Sequence, residues 1–569
     1  MNCPSRTDEP LQYDGLNQNP SGLAADLTTR QDLNGIVNTR TDQDISTIPN
    51  DSKSEQHACS IGMEGQPLDK ETPGPDDTAN SRLAYPSEGK HRKSQAFLGN
   101  LSTIPGATGR VLLKYGRFIG PGFMVAVAYI DPGNYSTDVA AGAAKRFRLL
   151  FIVLMSNIFA IVLQSLAIRL GTITGRNLAE NCRAHLPKWL NIILYILGEA
   201  AIIATDIAEV IGSAIALNLL LKIPLVAGCA ITLVDVLVIL LFYNPNGNLR
   251  QLRLFEIFVM ALVLGVVICF CIELSLLTGV SVGEVFRGYL PSSAVVQGDG
   301  IYLSCGILGA TVMPHSLYLG SGIVQSRLRH FDIQAGNTSP RTLEKSVYRP
   351  SLSAIRSCLS YSIAEVAISL FTFALFVNSS ILIVAGASLS SNSAAESADL
   401  FGIHSLLAKT IAPAAGTIFA LALLLSGTSA GIVCTIAGQM LSEGALNWTI
   451  APWLRRLLTR SISITPSIII AGAVGKDGLS DALNASQVAL SVCLPFVSAP
   501  LIYFTCRNRY MKAGIHSGTD TEDVDDENDH DEPVKMRNHW ILSSLALVIW
   551  LVIVIMNVAL LVLVGMGKA

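Results

Sequence analysis

Four residues, Asp131-Pro132-Gly133-Asn134, interrupt an apolar stretch that runs from about Phe118 to Val139. Proline and glycine break a helix, and polar groups in contact with lipid have no water to bind. Such a break is therefore expected only where protein encloses a cavity, which makes these residues a candidate ion or substrate site. An interfacial turn that caps two helices is the alternative interpretation.

A second interruption lies in the apolar span from Tyr302 to Val324, which carries Met313-Pro314-His315 in its middle. Five apolar segments separate the start of the first break from the start of the second. Transporters built from inverted repeats carry broken helices at corresponding places in their two halves. The spacing therefore predicts two repeats of five membrane helices, with both breaks near the middle of the bilayer.

The two breaks would offer a set of cation ligands if they meet. Asp131 would supply a carboxylate, Asn134 an amide oxygen and Met313 a thioether, and the unwound turns would supply carbonyls, including that of Ala310. Hard ions such as Mg²⁺ and Ca²⁺ prefer shells of oxygen, whereas a thioether favours softer transition metals. The set indicates Mn²⁺, Fe²⁺ and their neighbours. For Met313 considered alone, a packing role is the alternative.

Acidic residues in the third apolar segment predict a proton route. Glu199, Asp206 and Glu209 follow one another at intervals of seven and three residues, which places them on one face of a helix. Carboxylates in file within a membrane are typical of proton relays. The alternative is structural pairing with a buried arginine, for which Arg460 at the start of the ninth segment is the expected partner.

Two more polar residues are candidates, each with an alternative. His315 lies two residues beyond Met313, so one ion would not readily use both side chains. Imidazole titrates near neutral pH and suits a proton carrier, although a hydrogen-bonded structural histidine fits as well. Gln487, early in the tenth segment, would either complete the metal shell in one conformation or bond across helices.

Composition excludes an ordinary soluble protein. Half of the 569 residues are apolar and only 15% are charged, which is typical of a polytopic membrane protein. Eleven apolar segments are long enough to cross a bilayer. They lie at about 118–139, 149–170, 189–219, 224–243, 255–278, 301–325, 355–386, 407–440, 461–475, 484–506 and 541–566. Lysine and arginine are concentrated in the even-numbered loops, which predicts that these loops and the N-terminus are cytosolic.

The chain is expected to have four parts. Residues 1–108 are polar and predict a disordered cytosolic tail, for which trafficking or ubiquitin-ligase adaptors are candidate partners. Residues 109–506 would form the transporter core, 507–540 an acidic cytosolic loop, and 541–569 the eleventh span with the C-terminus. The N-terminal residues have no apolar signal-peptide region, so we expect insertion to begin with an internal helix.

Several features point away from other sites. The net charge of −3 argues against nucleic acid as a partner, and the eleven cysteines are too scattered for a thiolate metal site. The remaining intramembrane acids lie near estimated helix ends or have no evident partners, and they receive no role; they are Asp235, Glu256, Glu273 and Glu365. Asn378-Ser379-Ser380 is a glycosylation sequon that lies near the exterior in the predicted topology.

Four motifs together resemble the Nramp family of divalent-metal/proton symporters. They are DPGN in the first segment, GEAAIIATDIAEV in the third, MPH in the sixth and LNASQVALSVCLPF in the tenth. The resemblance covers roughly residues 110 to 566, and the polar N-terminal tail is similar to that of fungal members. It implies an all-α polytopic membrane protein with a LeuT-like fold, in which two inverted five-helix repeats and an eleventh transmembrane helix work by alternating access.

The resemblance also implies roles for individual residues. The metal shell would contain Asp131, Asn134, Met313 and the Ala310 carbonyl, with Gln487 joining in some states. The proton pathway would contain Asp131, His315, Glu199, Asp206, Glu209 and Arg460. No cofactor is implied, because the metal ion and the proton are cargo, and the membrane would be the plasma membrane or that of endosome or vacuole. Cys493 departs from the family, many members of which have a second glutamine there, so the hydrogen bonding of that helix is not carried over.

Two other functions remain open at this stage. A sodium-coupled amino-acid transporter would share the fold, although Met313 and the three acids argue against it. A metal-sensing membrane receptor is favoured only by the long N-terminal tail. An enzyme is not expected, because the sequence shows no nucleophile–base pair and no cofactor fingerprint.

Overall fold

The computed structural model describes residues 120–566, apart from 242–248, 298, 339–347, 391–398, 448–451 and 514–533. The predicted N-terminal tail and the acidic run of the last loop lie outside the described residues. The helices are α1 (Pro121–Val127), α2 (Pro132–Lys145), α3 (Leu150–Thr174), α4 (Leu178–His185), α5 (Lys188–Leu221), α6 (Leu225–Leu241), α7 (Leu249–Ser275), α8 (Val282–Gly288), α9 (Gly300–Thr311), α10 (Pro314–Gln334), α11 (Leu352–Ser369), α12 (Leu375–Ser388), α13 (Leu400–Thr410), α14 (Pro413–Leu446), α15 (Pro452–Ala473), α16 (Lys476–Thr505) and α17 (Trp540–Gly565).

These helices account for the eleven predicted spans. In the described part of the chain, eight spans are long and apolar enough to cross a membrane, and α6 and most of α15 form shorter apolar helices. The first span is divided into α1 and α2. Helices prevail because, in lipid, a helix satisfies its own backbone hydrogen bonds.

The first and sixth spans are broken at the predicted points. α1 ends at Val127 and α2 begins at Pro132, and α9 ends at Thr311 and α10 begins at Pro314. Each proline takes the first position of its half-helix, where its missing N–H costs nothing. Each broken span is the first of a set of five spans, and one further helix, α17, follows the second set. This arrangement confirms the predicted all-α, LeuT-like fold class.

Several span boundaries differ from the prediction, and two of the differences change how the chain is read. Residues 400–410 form the separate helix α13, and the eighth span begins at Pro413 instead of residue 407, because Ala412 is extended and Pro413 starts a new first turn. The ninth span, α15, begins at Pro452, so Arg460 lies inside it and not before the span. Arg460 tolerates this position because its buried charge meets acids of α5.

Local irregularities complete the fold. A π-helical turn, Leu370–Ala374, connects α11 to α12 within one span. Between α16 and α17, Lys512–Ala513 pairs in antiparallel fashion with Val534–Lys535. At the centre, α14 packs along α5, the helix that carries the three predicted acids, and α2 packs along α12. Because α2 also contacts α5, the half-helix after the first break and these acids belong to one core.

Candidate functional site

Asp131 forms the N-terminal cap of α2. Its carboxylate accepts hydrogen bonds from the backbone N–H groups of Gly133 (3.1 Å) and Asn134 (3.2 Å) and from the Asn134 side-chain amide (2.6 Å). A carboxylate at this position satisfies free N–H groups and interacts favourably with the helix dipole. The fully buried carboxylate is thereby fixed at the break.

Asn134 connects the two breaks. Its amide nitrogen donates to Asp131 and to the Tyr129 carbonyl (3.2 Å), while its amide oxygen accepts from the Thr311 hydroxyl (3.3 Å). Thr311 is the last residue of α9 and lies next to Ala310 and two residues before Met313. The interruptions of the first and sixth spans therefore lie side by side.

A second set of hydrogen bonds joins the breaks through α3. The Gln164 amide nitrogen lies 2.9 Å from the Tyr129 hydroxyl and 2.8 Å from the Ser316 hydroxyl, and these two hydroxyls are 2.9 Å apart. Ser316 also donates to the Met313 carbonyl over 2.6 Å. Because all three side chains are buried, this network holds the start of α10 against the first break.

The prolines leave two carbonyls without their usual helical donors. Pro314 has no N–H to give to Ala310, and Pro132 has none to give to Ala128, four residues earlier in each case. The breaks are alike in sequence, since Ala128-Tyr-Ile-Asp131-Pro132 matches Ala310-Thr-Val-Met313-Pro314. The Ala128 carbonyl is therefore a further candidate ligand that the sequence motifs do not include, and this internal match is the signal that indicates it.

Met313 is fully buried between two helices. It shares a small apolar cluster with Ala201 and Ala204 of α5 and with Leu490 and Cys493 of α16. The thioether belongs to the residue that precedes α10, so it lies at the break itself. Cys493 is the position at which the sequence differs from many members of the family that it resembles. Its side chain packs in the same cluster as Met313.

Gln487 of α16 approaches the first break. A Cβ atom added to Gly133 would overlap the Gln487 amide, so only glycine permits this approach. The amide nitrogen donates to Ser486 (3.0 Å), while the amide oxygen has no hydrogen-bond partner among the described residues. The side chain also borders a cavity of about 330 Å³. The polar residues of that cavity include Ser136, Thr137, Tyr302, Asn484, Gln487 and Ser491.

Two of the three predicted acids meet Arg460. The guanidinium donates to Asp206 and lies 3.4 Å from a Glu209 oxygen, and all three side chains are buried. The other Glu209 oxygen has no partner in the described part of the structure. Glu199 lies two helical turns before Asp206, is only partly buried, and is not joined to Arg460 by an ion pair among the described residues.

His315 lies against the same acidic helix. Its Nδ1 atom is 3.2 Å from the hydroxyl of Thr205, the residue that precedes Asp206, and its Nε2 atom has no partner among the described side chains. The structure therefore brings His315, Asp206, Glu209 and Arg460 to one region of α5, beside the second break.

A metal-ligand grouping also occurs at Asp206, Glu209 and Cys434, whose potential ligand atoms lie within 4.8 Å of one another. The Arg460 guanidinium contacts both acids of this group. A dication there would face that fixed positive charge at close range in a low-dielectric interior. The group is consequently better suited to hold protons than a metal ion.

Two residues lie elsewhere than the sequence indicated. Glu365 has partners after all: its carboxylate accepts from the N–H groups of Gly120 (2.8 Å) and Gly122 (2.9 Å) and from Arg327 (2.9 Å). Asn378 is fully buried within α12 and donates to the Tyr129 carbonyl (3.1 Å). The prediction of an exterior glycosylation sequon there is wrong, because the amide faces the protein core.

Comparisons with known proteins show what the whole chain is similar to. The family model described as Natural resistance-associated macrophage protein-like (Nramp) matches residues 122–518. The chain is 50% identical to manganese transporter SMF1 of Saccharomyces cerevisiae over 499 residues, which cover 80% of this chain and 87% of that protein. It is 51% identical to iron transporter SMF3 of the same yeast over 460 residues, with 79% and 96% covered. A crystal structure of a manganese transporter from Eremococcus coleocola is similar with a TM-score of 0.64 and 30% identity, covering 80% of this chain and 88% of that one.

Proposed function

Because the chain belongs to the Nramp family, we propose that it is a symporter that carries Mn²⁺, Fe²⁺ and related transition-metal ions into the cytosol together with protons, by alternating access. The chain is an integral-membrane metal transporter of that family and not an enzyme. The observation that carries the proposal is the hydrogen bond between Thr311 and Asn134, because it brings the two breaks to one place.

The metal ion would bind between the two breaks. Asp131, Asn134 and the Met313 thioether would be ligands, together with the Ala310 carbonyl that Pro314 leaves free, and Gln487 would join in one conformation. The Ala128 carbonyl is the matching ligand of the first break. A thioether among oxygens favours a transition metal over Ca²⁺ or Mg²⁺, because softer ions gain more from sulfur.

Proton movement would follow metal binding. A dication beside Asp131 favours its ionised form, so a proton held there would leave. His315 and Thr205 connect the second break to Asp206, and one buried Glu209 oxygen has no hydrogen-bond partner in the described ranges. Two carboxylates and one guanidinium leave a net charge of −1, which one proton would neutralise. Glu199 would continue the route along α5.

The same proposal covers topology and partners. The basic even-numbered loops support a cytosolic N-terminus, and residues 1–108 would form a cytosolic tail that binds trafficking or ubiquitin-ligase adaptors. Residues 109–506 would be the transporter core, followed by the cytosolic loop 507–540 and the last span, 541–569. The membrane would be the plasma membrane or that of an endosome or vacuole.

Uptake into liposomes tests the proposal. Purified protein is reconstituted with an internal Mn²⁺-sensitive dye and a pH-sensitive dye, and Mn²⁺ is added outside with an excess of Ca²⁺. We expect Mn²⁺ entry with acidification, and we expect Met313→Ala to lose discrimination against Ca²⁺ while Asp131→Asn loses both signals. Met440→Ala, at a partly buried methionine of α14, is the matched control.

Each contrary outcome has a defined meaning. Binding of Mn²⁺ without entry would indicate a receptor, and competition by amino acids with dependence on Na⁺ would indicate the amino-acid transporter. Unchanged discrimination in Met313→Ala would contradict the role of sulfur in selecting the ion.

A further inference from the structure

We propose that Asp138, a residue of α2 that no motif singled out, is a proton-binding site that releases its proton when a metal ion binds at the break. The inference rests on the proposed function, because it adds a second proton site to the same metal site. It is carried by the burial of the carboxyl group, its lack of partners and its position on α2.

Asp138 shares its lack of partners with Glu273 of α7 and differs in this from Asp131, Asp206 and Glu365, and only Asp138 lies on the half-helix that begins at the first break. It is 0% exposed, and neither carboxyl oxygen has a hydrogen-bond partner among the described residues. Asp131 accepts three hydrogen bonds, Asp206 contacts Arg460, and Glu365 accepts from two N–H groups and Arg327. A buried carboxylate without such partners is very unfavourable, so this group is neutral and holds a proton.

The position of Asp138 links it to the metal site. It lies seven residues beyond Asp131 and four beyond Asn134, so the three side chains share one face of α2. One turn further along that face, Gly142 packs against the Leu382 carbonyl and Ala385 of α12. Asp138 therefore faces α12, which has no titratable side chain.

The other helices that pack against α2 contact it away from Asp138. α9 approaches Thr137 through Gly306, and Asn484 of α16 accepts from Ser136, both on other faces of the half-helix. α5, with its acids, meets Pro132 at the start of α2 through Gly212. Phe270 of α7 and Phe419 of α14 surround Tyr135, and Glu273 of α7 is the buried acid on that side. Asp131 is thus the titratable group that shares the face of Asp138.

Metal binding at the break would act on Asp138 through this arrangement. Two helical turns correspond to about 10 Å, and across a low-dielectric interior a dication at that distance favours the ionised carboxylate. The O–H bond of Asp138 then breaks and the proton passes to water. When the metal ion leaves, Asp138 takes up a proton again. Metal affinity should consequently fall as the medium becomes more acidic.

Calorimetry of Mn²⁺ binding to the purified full chain counts the protons released. Titrations in two buffers with different ionisation enthalpies give the number of protons released per ion. We expect Asp138→Asn, which keeps the shape but cannot ionise, to lower that number by about one, while Asp138→Glu preserves it. Glu273→Gln removes an equally buried carboxyl group and should change nothing. An unchanged number in Asp138→Asn, or an equal decrease in both variants, would overturn the proposal.

Infrared spectroscopy of the metal-free protein provides a measurement that does not depend on transport. The C=O band of one protonated carboxyl group should be missing in Asp138→Asn, should shift in Asp138→Glu, and should fade in the unmodified protein when Mn²⁺ is added. An identical band in all three proteins would mean that Asp138 holds no proton. Because the metal-free band is read without Mn²⁺, failure of metal transport and failure of this inference can be told apart.

Discussion

The hydroxyl of Thr311 donates a hydrogen bond to the side-chain oxygen of Asn134 over 3.3 Å, across 177 positions of the chain. The donor ends the first half of the sixth span, and the acceptor lies in the first turn of α2. Both residues are buried, so the bond is shielded from water. It joins the two breaks directly.

Thr311→Val removes that donor and keeps the shape of the side chain. We expect Mn²⁺ affinity to fall by roughly three- to tenfold, since a buried hydrogen bond contributes about 1 kcal/mol. Binding titrations of the purified protein measure the change. Thr311→Ser keeps the hydroxyl and should retain most of the affinity. Equal losses in both variants would assign the effect to packing instead of the hydrogen bond.

Gly133→Ala should impair metal binding by crowding Gln487. The added Cβ atom would overlap the Gln487 amide, which must then move away from the first break. We expect a lower maximal Mn²⁺ uptake in liposomes for the single variant. Adding Gln487→Ala supplies the missing space, so the double variant should exceed Gly133→Ala in uptake. If Gly133→Ala transports normally, the close approach of α16 is not needed for binding.

Arg460→Gln should destabilise the protein strongly. It leaves Asp206 and Glu209 buried without their positive partner, and removing one member of a buried ion pair costs about 3–5 kcal/mol. Thermal unfolding followed by size-exclusion chromatography measures this. The double variant Arg460→Gln with Asp206→Asn should recover part of the stability but not the proton flux. Full recovery of both would contradict a role for this group in proton movement.

Glu365→Ala should weaken the attachment of the first half-helix. The carboxylate binds two N–H groups at the start of α1 and Arg327 of α10, and hydrogen bonds to charged groups contribute about 1.5–3 kcal/mol each. We expect a lower unfolding temperature for the purified protein. Glu284→Ala, which removes an exposed ion pair with Arg146, should leave that temperature nearly unchanged. A similar decrease in both variants would argue against a special role for Glu365.

The site could be predicted in part because some of its chemistry is local. Pro132 and Pro314 interrupt their helices whatever surrounds them, and the spacing of Asp206 and Glu209 fixes their common face. Interaction partners that are distant in the sequence could not be predicted. The two N–H groups that Glu365 binds lie 243 and 245 positions away, and nothing near Glu365 in the sequence indicates them.

The amino-acid sequence by itself determined the spans, the two breaks and the kinds of ligand that they offer, because hydropathy and the missing proline N–H act within a few residues. Only the tertiary structure decided that Arg460 lies inside a helix against two acids, that Asn378 is buried at the first break, and that Asp138 has no hydrogen-bond partner among the described residues. These facts depend on which helix faces pack together. The packing of helix faces determines which polar groups have partners, because burial removes the water that would otherwise satisfy each polar group.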